Sequence, residues 1–123
     1  MKKFLAMILC AIMVCAVATN AMAATISGTL TSTKTFKNVT TTVAIEGSDW
    51  TASFTGASST QRVVARVHAG SDAASASWVF SGYSTTPHDY NPEYKYTSEL
   101  ITLRARIDTR DVGPITISGV FTP

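Results

Sequence analysis

The residues best able to do chemistry are two histidines, two cysteines and four tyrosines. Cys10 and Cys15 fall inside an apolar N-terminal stretch, so the remainder of the chain has no thiol to offer as nucleophile, metal ligand or disulfide. Serines are plentiful, yet none sits in a nucleophile elbow or a Ser-x-x-Lys pattern. His68 shares strand parity with Arg62 and Arg66, whose charges lower its proton affinity without orienting it as a base. A glycosidase needs two carboxylates across a cleft. Asp49, Asp72, Asp89, Asp108 and Asp111, with Glu93 and Glu99, fall mostly in turn-like stretches, where Asp bonds the nearby backbone. The chain reads as non-enzymatic. A small secreted hydrolase built on His88 or a carboxylate pair is the enzyme-class alternative.

Aromatic spacing points to recognition instead. Tyr83, Tyr90, Tyr94 and Tyr96 lie within or beside Ser84–Glu93, a stretch with two prolines that also supplies His88, Asp89 and Asn91. Loop tyrosines give rigid, amphipathic contacts to a glycan or a protein, and loops this long are uncommon without a task. The competing expectation is a lid, with each ring folded over an open end of the fold. His88, Asp89, Asn91 and Glu93 offer ligands to a hard cation but lack the glycine-spaced pattern of such a loop. The reading therefore assigns no metal and no cofactor.

Arg62, Arg66 and His68 share one strand face, and Arg104 and Arg106 share another. If those strands are neighbours, the five residues form a basic patch able to receive an acidic partner; the plainer expectation is a solvated sheet face. With no aromatic interleaved on either strand, base stacking is not expected and nucleic acid is excluded as a partner.

The elements that must position these residues read as strands throughout. Two-residue alternation puts Ile26 and Leu30 on one face of Thr25–Thr31, and Val39, Val43 and Ile45 on one face of Asn38–Glu46. The same rule groups Trp50, Ala52 and Phe54; Val63, Ala65 and Val67; and Trp78 with Phe80. It also groups Ile101, Leu103, Ala105 and Ile107, and finally Ile115, Ile117 and Phe121. Gly47–Asp49, Gly56–Thr60, Ala69–Ser75 and Asp108–Pro114 punctuate them as turns. This predicts an all-β fold, a single antiparallel β-sandwich of seven to eight strands, with a small closed β-barrel as alternative. Thr25–Thr31 and Thr116–Thr122 echo each other (TISGTLT and TISGVFT), so the terminal strands are candidate interchangeable partners in self-association.

Ahead of the strands, Lys2 and Lys3 precede an apolar run from Phe4 to Val17, and Ala21-Met22-Ala23 fits a leader cleavage site. Residues 1–23 thus read as a signal-peptide helix, too short to anchor stably in a bilayer, and residues 24–123 as the exported domain. That predicts a secreted or periplasmic protein, with no membrane contact after cleavage and a bacterial look to the leader. Lys2 and Lys3 depart with it, leaving eight basic residues against eight acidic ones. A formally neutral domain has no global pull toward nucleic acid or anionic membranes. The expected roles are an extracellular binding or adhesion module, or a self-assembling surface filament or layer subunit.

Overall fold

The computed structural model describes residues 23–55, 61–81 and 86–123. The expected leader helix, the Gly56–Thr60 turn and Tyr83 lie outside the described residues.

Among the described residues every regular element is a strand except one 3-10 turn at Pro92–Tyr94. Five strands are long: β1 (Ala24–Leu30), β4 (Asp49–Thr55), β5 (Arg62–Ala69), β9 (Leu100–Ile107) and β10 (Ile115–Thr122). Short strands complete them: β2 (Lys37–Asn38), β3 (Val43–Ala44), β6 (Asp72–Ala73), β7 (Trp78–Ser81) and β8 (His88–Asp89). The first sheet runs β1-β10-β4-β8. The second runs β2-β9-β5-β6, with β3 also on β9 and β7 also on β5. All pairings are antiparallel.

Alternation does what a pleated strand requires of it. Ile26, Leu30, Trp50, Phe54, Ile117 and Phe121 of the first sheet share one buried cluster with Val63, Val67, Ile101, Leu103 and Ile107 of the second. The opposite face of the first sheet is a field of hydroxyls. Thr25, Ser27 and Thr29 of β1 stand beside Val120, Ser118 and Thr116 of β10, and Ser53 continues the row onto β4.

Three expectations are corrected. A closed barrel is not formed: the described strands make two separate ladders. They touch at one side through the Ser27 amide on the Val39 carbonyl (2.9 Å) and at the other through the Asn91 amide on the Ala74 carbonyl (2.8 Å). Asn38–Glu46 is not one strand. Val39 and Ile45 are buried as expected, but the ladder to β9 breaks between them. There the Leu103 amide donates to the Thr40 hydroxyl (3.0 Å) rather than to a backbone carbonyl. Trp78 and Phe80 do not share the core equally. Phe80 is buried, whereas Trp78 is 41% exposed and stacks on His88 with ring centroids 4.5 Å apart.

The terminal echo is structural. β1 and β10 pair with each other in a register centred on Ser27 opposite Ser118, so the two related segments face each other about a local two-fold. Gly28 and Gly119 occupy matching positions with φ of +153° and +150°. At Gly119 a side chain is excluded outright: a Cβ there would meet the Ser53 carbonyl of β4.

Candidate functional site

The tyrosine segment is mostly spent on the fold. Tyr90 is 2% exposed and joins the core, where burial first and the charges of Asp49 and Glu46 second raise the pKa of its phenol. Tyr94 packs against the same core. Asn91 is tied down, its side-chain amide donating to the Ala73 carbonyl (3.0 Å). Asp89 lies 3.8 Å from Lys95 in a largely exposed ion pair. Tyr96 alone among the described tyrosines projects fully, at 73% exposure and with a positive φ of 58°.

His88 is surrounded by rings: Trp50, Phe80 and Trp78 have centroids 5.1, 5.2 and 4.5 Å away. Burial there lowers its pKa. The residues offered to a ligand thus divide into buried rings, a braced amide and one exposed phenol. Among the described residues they do not converge on one cleft.

The basic residues do converge. β5 and β9 pair directly, with Arg66 opposite Arg104, Val64 opposite Arg106 and His68 opposite Thr102. Residues directly opposed in an antiparallel pair point to the same face, so Arg66, Arg104 and Arg106 gather on the outside of the second sheet. Across this face the Thr31–Phe36 connection folds back and lays down an aromatic ring that strand parity does not reveal. The guanidinium of Arg66 stands 4.0 Å from the Phe36 centroid and that of Arg106 stands 5.1 Å from it. Arg104 donates to the Phe36 carbonyl (3.4 Å), while Arg106 donates to the Thr33 and Ile107 carbonyls (3.1 Å each). The expectation of no aromatic on these faces is therefore corrected, although the ring is already engaged by two cations. Lys37, which reaches the Thr29 carbonyl (3.3 Å), also lines the pocket of about 220 Å³ between this connection and Arg106.

Charge partners separate the five residues of the expected patch. Arg62 is neutralised by Asp111, whose carboxylate takes both its guanidinium (3.3 Å) and its amide. Nearby, Asp108 is buried, accepts from the Arg110 side chain (2.8 Å) and amide, and closes the turn expected at Asp108–Pro114. Arg66, Arg104 and Arg106 have no carboxylate within ion-pair distance among the described residues. The Nε atoms of Arg66 and Arg104 are buried without a hydrogen bond. Desolvation, then Arg104 and Arg106, press the Arg66 pKa downward.

His68 lies on the same strand face two residues from Arg66, 4% exposed and with no well-formed hydrogen bond to either ring nitrogen. Its pKa is held below the ordinary value by desolvation first and then by Arg66 and Arg104. The Ser71 backbone and Asp72 pull more weakly the other way. Burial and the two arginines together favour the neutral form of His68.

Comparison with protein-family models, with curated proteins and with solved structures returned no match.

Proposed function

We propose that this chain is an exported, non-enzymatic β-sandwich that binds an acidic partner on the Arg66–Arg104–Arg106 face. One observation carries the reading: three guanidinium groups share one sheet face with no carboxylate within ion-pair distance among the described residues. Like charges placed directly opposite across strands oppose folding, so a sheet that only had to be stable would intersperse acids. Arg62 and Arg110 on the same protein do have acids beside them.

The sandwich reading rests on the two sheets with one shared core. Export rests on the leader pattern of residues 1–23, and it suits a thiol-free domain. Binding rather than catalysis is supported by the state of the histidines, one buried beside cations and the other held among rings. The Phe36 ring is engaged by arginine, which supports a charged partner over a stacked base.

Binding to sulfated dextran as probe tests the reading. The pair Arg66→Gln and Arg104→Gln should weaken the apparent Kd at least about tenfold at low salt, as loss of two phosphate-like contacts does. Arg110→Gln removes a cation that already has its own acid and should change it less than about twofold. Equal losses in both variants would sink the site and leave only a net-charge effect.

A further inference from the structure

Among the described residues, the charges without an ion-pair partner are equal in number and lie in two separate groups. Of the basic residues in 24–123, Arg62, Arg110 and Lys95 have carboxylate partners, which leaves Lys34, Lys37, Arg66, Arg104 and Arg106. Of the acids, Asp108, Asp111 and Asp89 are taken, which leaves Glu46, Asp49, Asp72, Glu93 and Glu99. The five free acids lie together. Asp49 and Glu46 act on Tyr90, while Asp72, Glu93 and Glu99 act on Tyr94. The backbone bonds Tyr90 to Ser48, Tyr96 to Gly47, Ile45 to Glu99 and Asn91 to Ala74 gather these segments at the end where β9 begins.

The free cations lie further along the same strand. Arg104 and Arg106 are in its middle and far half, and the Thr31–Phe36 connection bearing Lys34 docks at its last residue, where the Ile107 amide donates to the Ser32 carbonyl (2.9 Å). Five and seven residues of strand, about 17 and 24 Å, separate Glu99 from Arg104 and Arg106, beyond one Debye length at 0.1 M salt. Screening therefore leaves the two groups weakly coupled within one molecule, with Asp72, which acts on His68 as Arg66 and Arg104 do, the nearest link between them.

We propose that the acidic partner of the arginine face is a second copy of this chain, which presents its Glu46, Asp49, Asp72, Glu93 and Glu99 end. This rests on the cationic face being a binding surface and names what it binds. The two surfaces differ, so the contact is heterologous: each copy keeps a free cationic face and a free acidic end, and association propagates head to tail unless the geometry closes a ring. Opposed charge sets the register and speeds encounter at low ionic strength.

The test uses the chain expressed with its own leader, purified from the exported fraction and followed by sedimentation velocity. In about 20 mM salt the weight-average sedimentation coefficient should rise with concentration, and about 0.5 M salt should abolish the rise. One variant neutralises the face with Arg66→Gln and Arg104→Gln, and a second neutralises the end with Glu93→Gln and Glu99→Gln. Each alone should associate at least tenfold more weakly than the parent. Mixed, they retain one intact acidic end and one intact cationic face between them, so they should form a 1:1 dimer and stop there. Should either variant fail to fold by circular dichroism, the other variant and the salt series on the parent give the same decision. A parent that stays monomeric in low salt, association indifferent to salt, or a mixture that stays monomeric or grows past the dimer would overturn the proposal. If the parent is monomeric while Arg66→Gln with Arg104→Gln still loses sulfated dextran, the cationic face stands and only the partner is wrong.

Discussion

At the scale of single residues, the groups divide by which charge state folding favours, and this sets two separate pH windows. His68 and His88 both have pKa values lowered below the ordinary 6.5, His68 by burial and the two nearest arginines and His88 by burial. The unfolded chain therefore takes up protons first as pH falls through about 6.5, and stability declines from there. Asp108 and Asp111 behave the other way. Side-chain hydrogen bonds from Arg110 and Arg62 hold their pKa values below the usual carboxylate value, so their contribution is complete above about pH 4 and is lost below it. Urea midpoints measured from pH 7.5 to 3 should fall in two steps. His68→Gln should flatten the upper step, and Asp108→Asn the lower one. A single step below pH 4, unchanged by His68→Gln, would mean that His68 is not held neutral in the folded protein.

At the scale of elements, what sequence patterning reveals is the inward face of each long strand. Each of Ile101, Leu103, Ala105 and Ile107 is buried, as two-residue alternation requires. What it conceals is where a ladder breaks. Val39 and Ile45 carry the parity of one continuous strand, and no local signal marks the interruption, because it depends on Thr40 presenting its hydroxyl to a strand distant in sequence. Thr40→Val should leave the Leu103 amide without its acceptor and cost about 1–2 kcal/mol, whereas Thr41→Val should stay within about 0.5 kcal/mol. Equal urea midpoints for the two variants would show the backbone closing the gap unaided. The same limit applied to the site. The pairing of Arg66 with Arg104 was readable as a condition, because parity places each on an outer face. The Phe36 ring was not, because a connection between strands brought it there. The tyrosines show the converse: spacing left Tyr90 open between a loop contact and a lid, because its seat in the core depends on β8 pairing with β4.

Over the whole molecule, the two outer faces differ in kind. One carries serine and threonine without a formal charge on β1 and β10, and the other carries three arginines. Two accounts of polyanion binding follow from this. In one, total charge draws any anion to the protein; in the other, the partner rests on the second sheet. Inserting one negative charge on each face separates them, because the net charge changes equally. Thr102 stands on β9 beside Arg104 and opposite His68, so Thr102→Glu places a carboxylate among the guanidinium groups. Thr51 stands on β4 opposite Thr122, on the other sheet. At low salt, Thr102→Glu should weaken sulfated dextran binding about tenfold, because a carboxylate within a few ångströms of two guanidinium groups competes directly for them. Thr51→Glu should stay within about twofold, since a full sheet thickness of roughly 10 Å and the Debye screening of solvent lie between it and the arginines. Similar losses from both would refer binding to the charge of the whole protein and leave the arginine face without a special role.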